Sequence, residues 1–201
     1  MKKTSCIFFL LTFIFIGQIS AQVMDRIQLK SGFIYGSYLF NIASDSSYSY
    51  LSPLNGGQYI NLHFGGYYAA AHKNDIISTG VDAGLQGWLG LGNLSYQLQL
   101  PVYIMGRIGA GATHYNQQKF GFALGVGMQT SYRGFFSQRY ADIAPKFFSI
   151  PSAVAEVVIG GNRNFMGRLY LSPFSVKKHV KDPNSYYTVA NFGVGLLYRL
   201  N

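Results

Sequence analysis

Apolar and polar residues alternate with a period of two along most of the chain, most clearly in two segments. In Ser95–Ile108 one parity reads Tyr96, Leu98, Leu100, Val102, Ile104, Gly106 and Ile108. The other reads Ser95, Gln97, Gln99, Pro101, Tyr103, Met105 and Arg107. Near the C-terminus Ala190, Phe192, Val194, Leu196, Tyr198 and Leu200 oppose Asn191, Gly193, Gly195, Leu197, Arg199 and Asn201. Successive side chains of a strand point to opposite faces, so each segment predicts a strand with one apolar and one largely polar face. Each runs for eleven residues or more, long enough to cross a bilayer at a tilt.

The same rhythm recurs more weakly elsewhere. Tyr59–Ala71 sets Ile60, Leu62 and Phe64 against Asn61, His63 and Gly65. Ile77–Leu91 sets Thr79, Val81, Ala83, Leu85 and Leu89 against Gly80, Asp82, Gly84, Gln86 and Trp88. Phe120–Tyr132 sets Phe120, Phe122, Leu124, Val126 and Met128 against Gly121, Ala123, Gly125, Gly127 and Gln129. Ser152–Gly160 and Phe165–Val176 read as a hairpin around Gly160–Asn164, and Gly32–Phe40 as a first strand of undefined register. The total is eight strands, so both ends of the chain lie on one side. The expectation is an all-β fold, an eight-stranded antiparallel up-and-down transmembrane β-barrel. Outer loops are then Asn41–Gln58, Gly92–Leu94, Arg133–Ile150 and Lys177–Ser185. Inner turns are His72–Ile76, Gly109–Lys119 and Gly160–Asn164, of which Gly109–Lys119 is unusually long.

A soluble barrel of the lipocalin kind would turn its apolar parity inward around a ligand. Here the opposite parity is mostly Gly, Ser, Gln and Asn with few charges, which suits a crowded polar lumen better than a wet exterior. Composition agrees: 16 Tyr, 16 Phe and 24 Gly beside only 7 acidic residues. No helical period of 3.6 follows residue 21.

The first 21 residues predict a secretory signal, with 22–201 as the barrel. Lys2 and Lys3 precede an uncharged, mostly apolar run from Cys6 to Gly17, and Ala21 precedes the expected cut. That run is shorter than the about 20 residues of a membrane anchor. Cys6 is the chain's one cysteine, so the predicted mature part has neither disulfide nor thiolate chemistry. Its formal charge falls from +9 to +7 with the loss of Lys2 and Lys3. The basic residues are scattered, which argues for loose attraction to lipopolysaccharide and against nucleic acid.

Gly84-Leu85-Gln86, the stretch Tyr96–Tyr103 and Phe122–Gly127 make Asp82–Gln129 similar to the porin-like or PorT-like family of small outer-membrane barrels. The close match covers about a quarter of the chain. It implies fold and outer-membrane location. The family is functionally mixed: some members resemble compact OmpA/OmpX-type barrels, and some accompany the type IX secretion system. Such barrels commonly finish on an aromatic, whereas here Tyr198 lies three residues inside the end.

Asp82, Arg107, Glu156, Arg168 and Arg199 belong to the inward parity and are the candidate lumen network. The hairpin places Glu156 opposite Arg168, while Asp82 and Arg107 lie on adjacent strands about four residues apart in register. A charge in a narrow lumen needs a partner, because desolvating it alone costs several kcal/mol. A structural plug is therefore expected over an ion path. His63 faces inward without a neighbouring serine, and His72, His114 and His179 are dispersed, so no catalytic, metal or cofactor site is expected. Pro101 is expected to cause a bulge or local bend. In the loop Arg133–Ile150, Phe135, Phe136, Tyr140, Phe147 and Phe148 are candidates for contact with an envelope or secretion-complex protein, or for the membrane interface. The expected function is non-enzymatic, structural or partner-binding. A narrow solute channel and a lipid A-modifying enzyme are the alternatives.

Overall fold

The computed structural model describes residues 26–44, 58–90, 95–113, 115–135, 147–160, 165–178 and 185–200. They form eight strands: β1 Ile27–Ser44, β2 Gln58–Lys73, β3 Ile77–Gly90, β4 Ser95–Gly109, β5 Phe120–Phe135, β6 Phe147–Ile159, β7 Phe165–Lys178 and β8 Ser185–Arg199. Each strand pairs antiparallel with its sequence neighbours, and β1 pairs with β8 from Ser44↔Ser185 to Lys30↔Arg199. The sheet is thus a closed barrel. Closure gives every strand a hydrogen-bonded neighbour on both sides, the condition for strands to cross hydrocarbon.

The two parities sort as the alternation predicts, with apolar residues outside. Leu98, Leu100, Val102, Ile104 and Ile108 of β4 are exposed, while Gln97, Gln99, Tyr103, Met105 and Arg107 are buried. Outward residues of the other strands continue the band: Phe33, Leu62, Val81, Leu124, Val157, Leu169 and Leu196. Ile104 and Leu124 are each 71% exposed, against 0% for Asp82 and 1% for Arg168. A chain in water would pay for such a surface at about 25 cal/mol per Å² of apolar area. In lipid the same surface is matched to its solvent, so the wall reads as membrane-spanning.

Several boundaries differ from those the sequence predicts. The first strand begins at Ile27 rather than Gly32, which brings Gln28 and Lys30 into the wall. β5 extends to Phe135 and β6 begins at Phe147, so both ends of the predicted loop Arg133–Ile150 are strand. Phe147 points outward at 66% exposure and pairs with Tyr132, and Phe148 points into the lumen at 4%. These two residues are therefore wall residues and not part of a contact loop. Pro101 introduces no bulge. The β3–β4 ladder skips from Ala83↔Val102 to Gln86↔Gln99 with register unchanged, so the missing proline N–H interrupts the ladder without inserting a residue. Register shifts do occur at Ala69/Ala71 in β2 and at Ser172/Ser175 in β7. The predicted signal segment, Phe136, Tyr140, His114 and His179 lie outside the described residues, as does the side chain of Phe135.

The long turn after β4 has a structural role. Ala110, Gly111, Ala112 and Thr113 fold back into the barrel mouth and are buried. Gly109 and Gly111 both take φ of 79°, a left-handed conformation open to glycine, and Ala112 N closes a turn on Gly109 O at 3.0 Å. The segment is held by Gly109 N donating to Ile76 O at 2.7 Å, Ala110 N to Phe120 O at 2.9 Å, and Arg107 Nη1 to Gly111 O at 3.2 Å. The end of the barrel that carries the first residue of β1 and the last of β8 is thereby occupied by the chain itself.

Candidate functional site: the charged lumen

Five strands send one charged side chain each into the lumen, above the 110–113 strap. Lys30 comes from β1, Asp82 from β3, Arg107 from β4, Glu156 from β6 and Arg168 from β7, all fully buried. The β6–β7 ladder pairs Glu156 directly with Arg168. Arg168 Nε donates to Glu156 Oε1 at 2.7 Å, and its Nη2 donates to the same oxygen and to Asp82 Oδ1 at 3.0 Å. Arg107 Nη2 donates to Glu156 Oε2 at 2.7 Å and to Asp82 Oδ2 at 3.3 Å. Lys30 Nζ bonds Asp82 Oδ2 and reaches Glu156 Oε1 at 3.2 Å.

Every cation therefore contacts both carboxylates, and the contacts tie opposite walls together. Asp82 and Arg107 meet although Asp82 pairs with Tyr103 in the ladder, four residues from Arg107. The length of the arginine side chain spans that offset. The guanidinium of Arg107 also lies 3.9 Å from the ring centre of Tyr67, a favourable cation–π distance. Arg199, the fifth predicted lumen residue, faces inward beside this group as the ladder partner of Lys30 and is only partly buried.

Lys30 is the member that sequence reasoning missed. Its signal was the alternation Ile27, Leu29 against Gln28, Lys30, which Ser31 and Gly32 interrupt before Phe33 resumes the outward parity.

A neutral layer follows toward the other end of the barrel. Tyr59 donates to Asn191 Oδ1 at 2.7 Å and bonds Tyr170 Oη. Gln129 Nε2 donates to Tyr103 Oη at 2.7 Å, and Asn191 Nδ2 donates to Gln129 Oε1 at 2.9 Å. Asn61 Nδ2 donates to Gln86 Oε1 and Gln99 Oε1 at 3.3 and 3.1 Å. His63 is buried against Gly65 and Gly84, and neither ring nitrogen has a partner among the described residues. Both glycines leave space for that ring, since a Cβ on Gly84 would lie 2.5 Å from His63 Cε1.

An apolar exterior, a closed antiparallel wall and a lumen filled with paired charges and amides are now in view. This is the fold of a small outer-membrane β-barrel. No protein-family model and no curated protein matches the sequence. Among solved structures, the outer membrane protein OprG from Pseudomonas aeruginosa is 14% identical, with a TM-score of 0.48 over 87% of this chain and 95% of that one. Neisserial surface protein A is 8% identical, with a TM-score of 0.45 over 84% and 95%. The outer membrane enzyme PagL is 9% identical, with a TM-score of 0.41 over 83% and 97%. The likeness is one of fold. Among the described residues no three His, Cys, Asp or Glu side chains group as metal ligands.

Proposed function

We propose that this barrel is a non-enzymatic outer-membrane protein with a structural or partner-binding role, whose lumen serves as a rigid plug. The reading is carried by one observation: five buried charged side chains from five strands bond one another across the full width of the lumen. An eight-stranded barrel has room for its own side chains and little else. The 110–113 strap fills one end as well. With the lumen used for cohesion, the surfaces left for function are the lipid-facing wall and the loops. Lipopolysaccharide would meet the wall, and an envelope or secretion-complex protein would meet the segment between β5 and β6, whose sequence includes Phe136 and Tyr140.

Co-purification from native outer membranes in mild detergent tests this role. A stoichiometric envelope partner that is lost on Phe136→Ala/Tyr140→Ala supports it. Stepwise conductance of the purified barrel in a planar bilayer would favour a narrow channel instead. Altered lipid A on overexpression, abolished by His63→Ala, would favour an enzyme.

A further inference from the structure

We propose that the charge cluster holds one small monovalent anion of the halide class inside the lumen. The inference goes beyond the role proposed above and does not depend on it. Lys30, Arg107 and Arg168 are three cations, and Asp82 and Glu156 are two carboxylates, all with side chains at most 1% exposed. Among the described residues no further carboxylate faces this lumen, since Asp75 sits in the turn between β2 and β3 with its side chain 45% exposed. Arg199 adds positive charge from the neighbouring position on β8. Within the five fully buried side chains one positive charge is left over, inside a wall surrounded by hydrocarbon, the setting in which an unpaired charge is most costly.

Hydrogen bonding points the same way. All four carboxylate oxygens already accept: Asp82 Oδ1 from Arg168, Oδ2 from Lys30 and Arg107, Glu156 Oε1 from Arg168 and Lys30, and Oε2 from Arg107. Yet Arg107 Nε, Arg168 Nη1 and Gln28 Nε2 have no acceptor among the described residues. Gln28 is only 1% exposed and is fixed at the cluster, because its Oε1 accepts from Arg107 Nη1 at 3.1 Å. Its amide nitrogen is therefore presented beside the same guanidinium. Buried donors without acceptors and one excess positive charge are met together by a ligand that only accepts, carries one negative charge and imposes no directionality. Water would satisfy the donors and leave the charge. A halide satisfies both.

Bromide is the probe, because it scatters anomalously and stands in for chloride. Crystals of the refolded full chain grown in sodium bromide should show an anomalous peak within contact distance of Arg107 or Arg168. In detergent at constant ionic strength, the thermal midpoint should be about 5 °C higher in sodium chloride than in sodium gluconate, whose anion is too large for the site. Lys30→Met brings the cluster to two cations and two carboxylates and should abolish that difference. An absent bromide peak would overturn the proposal, and it needs no variant to fold. Equal chloride dependence in wild type and Lys30→Met would also overturn it. So would a midpoint insensitive to chloride in the wild type, which would mean that Lys30 is held neutral instead.

Discussion

Replacing Glu156 with alanine leaves Lys30, Arg107 and Arg168 facing Asp82 alone. Glu156 accepts from all three cations, two of the bonds being 2.7 Å long. Removing one partner from a buried ionic group costs about 3–5 kcal/mol, because the charges left behind stay desolvated. Arg168→Ala is a milder change. Lys30 and Arg107 still bridge Asp82 and Glu156, so two cations face two carboxylates, and the loss should be nearer about 2 kcal/mol for its charged hydrogen bonds. The double variant should cost about 2 kcal/mol less than the sum, within the range for groups sharing a network. Urea unfolding in lipid vesicles, read by Trp88 fluorescence and by heat-modifiable electrophoretic mobility, measures all four corners of the cycle. Losses that add within about 0.5 kcal/mol would refute the shared network. A larger loss for Arg168→Ala than for Glu156→Ala would refute the charge-balance reasoning.

Three further outcomes follow from the wall and the strap. Ile104→Arg places a charge at one of the most exposed positions of the apolar band and should cost about 2–4 kcal/mol in vesicles; a near-neutral effect would argue for a wall that faces water. Gly109→Ala should destabilise more than Gly111→Ala in the same urea titration. Both residues have φ of 79°, but a Cβ on Gly109 meets Phe120 O at 2.4 Å, whereas on Gly111 it meets only the Val158 side chain at 3.3 Å. Amide exchange should be faster in the 147–152 part of β6 than in β4, because among the described residues the β6–β7 ladder ends at Ala153↔Leu171 while β4–β5 pairs from Ser95↔Phe135 to Gly109↔Gly121. Equal protection would contradict that ladder.

The wall was legible in the sequence because lipid demands an apolar residue at nearly every outward position, and β4 and β8 meet that demand almost without exception. Glu156 opposite Arg168 was legible too, since a short hairpin sets its own register. Asp82 and Arg107 were legible as inward charges on adjacent strands, but the pairings across the lumen were not. Contacts such as Lys30–Glu156 and Arg168–Asp82 cross the lumen between strands that are not neighbours. They depend on barrel tilt and side-chain reach, which no local pattern encodes. β1 shows the limit of alternation itself: Ser31 and Gly32 blurred the parity, and the start of the strand, with Lys30 in it, was lost. Phe147 and Phe148 misled in the other direction, since an aromatic pair beside a long loop reads equally well as loop or as strand end.

Conductance tests most directly whether the lumen is closed by its own side chains. Wild-type barrel, shown to be folded by its heat-modifiable mobility, should produce no stepwise current in a planar bilayer at 1 M salt and moderate voltage. Reproducible unitary steps from the same preparation, scaling with the amount of folded protein, would contradict the plug.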